Sequence, residues 1–314
     1  MILAAGKGSR LHPITLKRSK AMLPILGRPM VERVMEHIWA NGITDFILVV
    51  SPDDRNIIKY FEEESPLEAS IRFVFQERRL GMADALSYTT PLIEGDFVLS
   101  ACDNLTSARH VAELMECYRR EGEVNGVMSL TEIPWSEIGR TGIVEMDGHW
   151  VRKVIEKPSR EEAPTNIATL PLYIFKPMLL DYLPEVELSP RGEYELQDAI
   201  QMLIDRQGGV RGVFTDSRLT LTGPEDLLVI NRHYLVNGHG RPQMAPYTVG
   251  ANTHLITPLR IEQGTTIGED CIIGPHVYIE RDCRIGSRVT LKDAVILRES
   301  VVEDGMVIEN QVTW

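Results

Sequence analysis

The residues best suited to chemistry stand at the start of the chain. An apolar run over residues 2–5 is followed by Gly6 and Gly8, and a basic stretch that contains Arg10 and Lys20 comes next. A buried strand that ends in a glycine-rich, basic loop brings backbone amides and cations up to a polyphosphate. Glycine suits such a loop because a Cβ would block close approach and disfavour a positive φ. The segment therefore predicts a phosphate site, and the alternative is a plain strand-to-helix turn with solvated charges.

The spacing of these glycines differs from that of the two best-known nucleotide loops. A GxGxxG motif would need a third glycine where Leu11 stands, and GxxxxGK[ST] does not occur in this segment. The glycines alone are therefore a weak signal, and the elements around them must carry the argument.

Up to about residue 140, apolar strands alternate with helical patterns. Residues 30–41 have apolar residues at helical spacing, while 45–50, 71–75 and 96–101 have the composition of strands. Such alternation predicts an α/β fold with a doubly wound, mostly parallel, Rossmann-like sheet. Ligands of these sheets bind outside the carboxyl ends of strands, which is where Gly6, Gly8, Gln76 and Asp103 fall.

From residue 249 a six-residue repeat takes over. One large aliphatic residue recurs in each hexad: Val249, Leu255, Ile261, Ile267, Ile273, Ile279, Ile285, Leu291 and Leu297. This period predicts a parallel β-helix whose aliphatic residues point inward, with its register ending near Glu303. Cys271 and Cys283 are then small core residues. We expect a catalytic domain over 1–237, a linker over 238–248 and the β-helix over 249–314.

Composition excludes several classes of protein. The chain has 314 residues and a net charge of −12 without a basic stripe, which argues against a nucleic-acid partner. Its longest apolar runs are only a few residues, so neither a membrane span nor a signal peptide is expected. The four cysteines show no CxxC spacing, so we expect no zinc site, no disulfide framework and a cytoplasmic location.

Taken together, the motifs resemble those of the sugar-1-phosphate nucleotidyltransferases, the family of glucose-1-phosphate thymidylyl- and uridylyltransferases. Residues 3–30 match LxxGxGxRLxPxTxxxPKxLLPxxxxPM, a long and specific pattern. Further matches follow in order: QExxLGxAxAL at 76–86, DN at 103–104, TGIVE at 141–145, EKP at 156–158, RGExE at 191–195 and GPEDL at 223–227. Several branches of this family also carry a left-handed hexapeptide β-helix, and the resemblance covers nearly the whole chain.

The resemblance implies transfer of a nucleotidyl group from UTP or dTTP to a hexose 1-phosphate, with Mg²⁺ as cofactor. Matching positions assign Arg10 and Lys20 to the triphosphate, and the backbone around Ala5, Gly6 and Gly8 to the nucleotide. They assign Gln76 and Gly81 to the base, Asp103 to Mg²⁺, Gly142 and Glu156 to sugar hydroxyls, and Lys157 to the sugar phosphate. Each side chain has a plainer alternative as a solvated loop or turn residue, and the roles of Arg191 and Glu193 stay open.

Some positions depart from the family pattern. The family's Pro-Lys is Ser19-Lys20 here, and Leu221 stands where a second metal carboxylate is usual. Mg²⁺ often uses only one or two carboxylates together with phosphates and waters, so a site with Asp103 alone is possible. The family's relatives also have a few residues before the first strand, so we expect either a short strand or a misassigned start codon.

Three hypotheses therefore remain. The first is the Mg²⁺-dependent nucleotidyltransferase. The second is a weak or silent paralogue that binds a sugar nucleotide and regulates or scaffolds a partner. The third, a bifunctional enzyme with an acyltransferase β-helix, is disfavoured because only about three coils fit between 249 and 302. The flat faces of the β-helix favour self-association into a homo-oligomer.

Overall fold

A computed structural model describes residues 1–120, 124–216, 218–239 and 246–314. The chain forms two compact units, and each is interrupted in sequence. The first unit comprises 1–7 and 31–218, and the second comprises 8–30 and 219–314. The basic loop thus belongs to the same unit as the C-terminal repeats. The predicted domain bounds and the linker over 238–248 stay predictions, and 240–245 of that linker lie outside the described residues.

A nine-stranded sheet in the order β5-β4-β1-β6-β11-β8-β12-β10-β9 forms the centre of the first unit. Its strands are β1 Ile2–Leu3, β4 Asp45–Val50, β5 Ser70–Phe75, β6 Phe97–Ala101, β8 Gly126–Glu132, β9 Ile143–Asp147, β10 Trp150–Ile155, β11 Ile167–Phe175 and β12 Val210–Phe214. The strands are apolar on their buried faces; Leu48, Val49 and Val50 of β4 have no exposed surface. This sheet positions the strand ends at which the candidate residues lie.

The expectation of a mostly parallel sheet is confirmed in part: seven of the nine strands run in one direction, while β10 and β11 run in the opposite direction. Four neighbouring pairs are parallel (β4–β5, β1–β4, β1–β6 and β8–β12), and four are antiparallel (β6–β11, β8–β11, β10–β12 and β9–β10). The reason lies in the connections after residue 140. Gly148, with φ of +58°, closes a hairpin between β9 and β10, and no helix separates β10 from β11. Parallel neighbours need a long crossover, whereas short connections give antiparallel ones.

Helices pack on this sheet through apolar faces. They are α1 Met30–Trp39, α2 Arg55–Glu63, α3 Met82–Ser87, α4 Ala108–Arg120 and α5 Leu196–Gln207. The predicted helix over 30–41 is confirmed as α1, which buries Val31, Val34, Met35 and Ile38 at helical spacing. A short β7, Asn104–Leu105, follows β6. No helix of the described ranges is long and apolar enough to cross a membrane.

The second unit contains the predicted coils of parallel strands. Paired residues lie 18 positions apart, as in Ile267 with Ile285 and Ile273 with Leu291, so three hexads make one coil. The strands are β14 Thr248–Val249, β15 His254–Leu255, β16 Leu259–Ile261, β17 Thr266–Ile267, β18 Ile272–Ile273, β19 Val277–Ile279, β20 Arg284–Ile285, β21 Thr290–Ile296, β22 Val301–Val302 and β23 Val307–Thr313. Cys271 and Cys283 are fully buried in this core, as predicted. The left hand of the coil stays a prediction.

Two details of the repeat differ from expectation. Val249 and Leu255 are 39% and 38% exposed, because they lie in the first coil and no earlier coil covers them. The register also changes earlier than Glu303: Ile279 pairs with Ile296, which is 17 positions away. Asp293, with φ of +45°, lies in the shortened corner. The core residue of that face is therefore Ile296 rather than Leu297.

The rest of the second unit consists of the basic loop and one helix. The loop contains short 3₁₀ turns and the ribbon β2 Pro24–Ile25 with β3 Arg28–Pro29. The helix is α6 Pro224–Tyr234, preceded by β13 Leu219–Thr220. Asp226 caps α6, since its Oδ2 accepts from the backbone N–H groups of Thr222 and Gly223 at 2.7 and 2.8 Å. Leu221 is fully buried.

Candidate active site

The end of β1 combines a fixed carbonyl with an open glycine. Arg79 Nε donates to the Ala5 carbonyl at 2.7 Å, and its Nη2 donates to Ser51 Oγ at 2.9 Å. At Gly6 a Cβ would meet no atom within 4 Å. The backbone at Gly6 is therefore open to approach by another molecule, as the sequence predicted. Arg79 was missed by the sequence reasoning; the Arg78-Arg79 pair just after a strand end was the available signal.

Gly8 lies in the second unit and has the predicted left-handed conformation, with φ of +61°. A Cβ on Gly8 would lie 2.9 Å from Lys20 Cβ and 3.3 Å from Thr15 Cγ2. Thr15 Oγ1 donates to the Gly8 carbonyl at 2.9 Å. The loop therefore closes on itself, and glycine lets the Lys20 stem pack against its backbone.

The cations of this loop have different environments. Arg10 is exposed in the 3₁₀ turn Ser9–Leu11, and Lys20 is half-buried at the start of the turn Lys20–Met22. Arg18 is only 9% exposed and pairs with Glu280 of the same unit, so it is no solvated charge. The two candidate phosphate cations are thus separate from Arg18.

Gln76 follows β5 and is held by its amide group. Its Nε2 donates to Asp84 Oδ2 at 2.7 Å and to the Gly81 carbonyl at 3.2 Å. A carboxylate only accepts, so the NH₂ group must face Asp84. Among the described residues nothing donates to Gln76 Oε1, which is left as an acceptor.

Gly81 has its own structural reason to be glycine. Its φ is +105°, and a Cβ would overlap the backbone of Tyr194. That backbone is fixed, because the Tyr194 N–H donates to the Leu80 carbonyl at 2.6 Å and the Ala83 N–H donates to the Tyr194 carbonyl at 3.1 Å. Close packing explains this glycine, and its predicted role beside the base stays a prediction.

Just past the end of β10, charged side chains meet around Glu156. Lys157 Nζ lies 3.2 Å from Glu156 Oε1, and Arg191 Nη2 lies 3.5 Å from the same oxygen. Arg191 also pairs with Glu195 at 2.6 Å. Burial raises the pKa of Glu156, and the nearby charges of Lys157 and Arg191 oppose that rise. Arg191, whose role the sequence left open, thus contacts both Glu156 and Glu195.

Gly142 is closely packed by three polar side chains. A Cβ there would lie 2.9 Å from Thr169 Oγ1, 3.2 Å from Glu156 Oε2 and 3.3 Å from Gln197 Nε2. Within the described residues Gln197 Oε1 is buried and has no hydrogen-bond partner. Thr169 Oγ1 and the Tyr173 hydroxyl are also buried without a hydrogen bond of standard geometry, although these two side chains approach each other. A buried polar atom without a hydrogen bond costs folding free energy unless water or a ligand pairs with it. We refer to Gly142, Glu156, Lys157, Thr169 and Gln197 as the carboxylate cluster.

Thr169, Tyr173 and Gln197 were missed by the sequence reasoning. Thr169 and Tyr173 lie in the mostly apolar strand β11, and Gln197 lies in α5 among other polar residues. No spacing marks any of the three as a site residue. The structure therefore adds three polar side chains to the predicted set of Gly142, Glu156 and Lys157.

Asp103 lies two residues past the end of β6 and is half-buried, whereas its neighbours Cys102 and Asn104 are buried. Within the described residues there is no group of three or more His, Cys, Asp or Glu residues suited to a metal ion. Leu221, at the position of the family's second carboxylate, supplies no ligand. A hard cation that takes most of its oxygens from phosphates and water fits a single carboxylate. Asp103 therefore suits Mg²⁺ brought in with a triphosphate.

Comparison with known proteins gives the family of this chain. Residues 1–218 match the model of the nucleotidyl transferase family, and residues 255–313 match the GMPPB C-terminal domain. The chain belongs to the nucleotidyl transferase family. This confirms the resemblance seen in the motifs and makes the chain a nucleotidyltransferase by descent.

Two relatives show what the chain is similar to. It is 31% identical over 228 residues, 72% of the chain and 92% of the relative, to the UTP–glucose-1-phosphate uridylyltransferase AglF of Haloferax volcanii. It is 28% identical over 317 residues, 100% of the chain and 85% of the relative, to a glucose-1-phosphate thymidylyltransferase of Streptomyces griseus. The chain spans only 54% of the length of several bifunctional relatives.

The structure of a UDP-glucose pyrophosphorylase complexed with UDP-glucose superposes with a TM-score of 0.66. The match has 21% identity and covers 75% of this chain and 97% of that one. At this identity the likeness shows the shared fold of the nucleotidyltransferase domain.

Proposed function

We propose that this chain transfers a nucleotidyl group from UTP or dTTP to a hexose 1-phosphate, with glucose 1-phosphate as the first candidate. A phosphate oxygen of the sugar 1-phosphate attacks the α-phosphorus of the triphosphate. The bond from that phosphorus to the β-phosphate oxygen breaks, and pyrophosphate leaves. The uridylyl and thymidylyl relatives support this choice of bases and sugar.

The carboxylate cluster is the observation that carries the proposal. A buried carboxylate beside a buried hydroxyl and an unpaired amide oxygen suits the hydroxyl groups of a sugar, which donate and accept hydrogen bonds. Lys157, next to Glu156, supplies a cation for the sugar phosphate. Gly142, which has no side chain, lets Glu156, Thr169 and Gln197 come close together around its backbone, and we assign that backbone to the sugar hydroxyls.

The proposed nucleotide contacts begin with the base. Gln76 presents its Oε1 as an acceptor, which suits the N3–H of uracil or thymine. Ala5, Gly6 and Gly8 provide backbone around the nucleotide, and Gly81 lies near its base. Arg10 and Lys20 neutralise the triphosphate.

Asp103 would hold the Mg²⁺ ion, which supplies positive charge to the triphosphate when bound. Both substrates are anions, so their approach needs positioning and charge neutralisation more than a protein nucleophile. The residues of this chain supply that through Arg10, Lys20 and Lys157.

The test is a measurement of pyrophosphate release with Mg²⁺. Five nucleoside triphosphates are crossed with the 1-phosphates of glucose, N-acetylglucosamine, mannose and galactose. We expect a strong signal with UTP or dTTP and glucose 1-phosphate. A signal only with purine triphosphates would contradict the proposed base.

Asp103→Ala should abolish turnover with the best pair of substrates. Asp103→Asn should retain a low activity when the Mg²⁺ concentration is raised. The expectation follows because Leu221 offers no second carboxylate to hold the ion. Unchanged turnover in Asp103→Ala would show that the metal assignment is wrong.

A second candidate is a weak or silent paralogue that binds a sugar nucleotide and regulates or scaffolds a partner. Buried Leu221, in place of a carboxylate, favours it. If no substrate pair releases pyrophosphate but calorimetry shows that the protein binds UDP-glucose, the result would support this candidate over the enzyme.

A further inference from the structure

The basic loop, residues 8–30, is fastened to the β-helix by a buried ion pair. Arg18 donates through both terminal nitrogens to the two carboxylate oxygens of Glu280, each at 2.7 Å. The Arg18 and Glu280 side chains are 7% and 10% exposed. The backbone N–H of Arg298 also donates to Glu280 Oε2 at 2.7 Å. The carboxylate of β-helix residue Glu280 therefore accepts three hydrogen bonds almost out of contact with water.

Further contacts fix the ribbon at the end of the same loop. The Gly27 N–H donates to the hydroxyl of fully buried Tyr278 at 3.0 Å. The Leu26 N–H donates to Asn231 Oδ1 at 2.9 Å, and Asn231 Nδ2 donates to the Pro24 carbonyl at 3.2 Å. The C-terminal half of the loop is therefore held by α6 and by the β-helix.

A buried ion pair is poor evidence for a gain in stability, because desolvation of both charges offsets their attraction. A two-point pairing between a guanidinium and a carboxylate does fix geometry, since both groups are planar. Arg18 lies two residues before Lys20, and the Lys20 stem packs against Gly8. Fixing Arg18 thus fixes the segment that carries the phosphate-binding groups of the loop.

We propose that Glu280 is a positioning residue for the triphosphate: through Arg18, the β-helix sets the conformation of the loop that presents Gly8 and Lys20. This inference rests on the proposed function, because it takes the triphosphate as the ligand of the loop. It gives the C-terminal repeats a part in nucleotide binding that acts through the loop.

The test compares Glu280→Gln with Val289→Ala in the full-length chain. Glu280→Gln keeps the size of the side chain and removes the charge that Arg18 needs. We expect the KM for the triphosphate to rise about tenfold, as for loss of a charged hydrogen bond. The KM for the sugar 1-phosphate should stay within about twofold, because the groups proposed for it lie in the other unit. Val289→Ala opens the fully buried β-helix core away from this ion pair and should change neither KM.

Hydrogen exchange over residues 8–30 provides a readout that needs no substrate. Faster exchange of the loop in Glu280→Gln, with no change in Val289→Ala, would support the inference that Glu280 holds the loop. This result stands even if no substrate pair releases pyrophosphate, because the absence of release would contradict only the proposed function. Unchanged exchange and unchanged KM in Glu280→Gln would overturn the inference. An equal rise of the triphosphate KM in both variants would also overturn it, because a general loss of β-helix stability would then suffice.

Discussion

Single residues at this site fall into two groups, those shaped by packing and those left for a ligand. Gly81 must be glycine because its backbone is left-handed and Tyr194 lies against it. Gly6 has space around it and no such need. Sequence motifs mark both glycines alike, and only the structure separates their reasons.

These two glycines give a matched pair of variants. Gly81→Ala should lower the melting temperature, because a left-handed alanine costs about 1–2 kcal/mol and its Cβ would overlap backbone. Gly6→Ala should leave the melting temperature within about a degree and raise the KM for the triphosphate several-fold. Thermal unfolding and initial-rate kinetics measure the two effects. A large loss of stability in Gly6→Ala would remove the argument that this space is kept for a ligand.

Glu156 gives a second prediction at this scale. Replacing Glu156 with Gln should raise the KM for the sugar 1-phosphate at least about tenfold, because hydrogen bonds to a charged group are lost. The KM for the triphosphate should change little. The two KM values are measured separately from initial rates in which each substrate is varied in turn. An equal rise in both constants would contradict the assignment of Glu156 to the sugar.

The same variant tests the raised pKa of Glu156. Burial raises that pKa, so the folded state binds the proton more tightly than the unfolded state does. The free energy of unfolding should therefore fall as the pH rises from the ordinary carboxyl pKa to the raised one. Glu156→Gln removes this contribution, so its stability should decline less over that pH interval. Urea unfolding at several pH values from 4 to 7 makes the comparison.

At the scale of elements, periodicity predicted well and topology less well. The helix over 30–41 and the hexads from 249 were predictable because one face of each element must be apolar. The antiparallel course of β11 was not, because strand order depends on distant pairing. The register of β11 was also unpredictable. It shifts against β8 between Leu170 and Tyr173, because Pro171 has no N–H to donate to the neighbouring strand.

The coils of the β-helix differ in what they bury, which gives a prediction for the element. Ile273→Ala should cost about 2–5 kcal/mol, because its side chain is fully buried between coils. Val249→Ala should cost under about 1 kcal/mol, because Val249 lies in the uncovered first coil. Chemical denaturation measures both. Similar costs would mean that the first coil is covered in solution.

At the scale of the whole molecule, sequence order and structural units do not coincide. The motifs predicted the family, because they follow one another in a fixed order along the chain; the ligand residues assigned through them stay predictions. The motifs could not predict that the basic loop folds with the C-terminal repeats. Arg18 and Glu280 are 262 positions apart, and charge alone does not reveal such a pair. Thr169 and Gln197 were missed for a similar reason, because their surroundings are made by distant strands.

Self-association belongs to this scale. Ile272 and Val307 are 44% and 65% exposed and lie in strands of one β-helix sheet, where both align with Thr290, so they offer an apolar face that a second copy covers. We expect sedimentation at micromolar concentration to show a homo-oligomer, and Ile272→Lys with Val307→Lys to reduce it to monomer. A wild-type monomer would contradict this expectation.

The distribution of thiols has a practical consequence. None of the four cysteines is in a disulfide; Cys102 and Cys117 belong to one unit, and Cys271 and Cys283 to the other. Burial raises the pKa of Cys283 to about 12, and Cys271 is equally hidden. A thiol reagent should therefore modify this second pair only as fast as the coils open. The rate of modification of Cys271 and Cys283, followed by mass spectrometry, would therefore report the rate at which the β-helix opens, and no label has to be introduced.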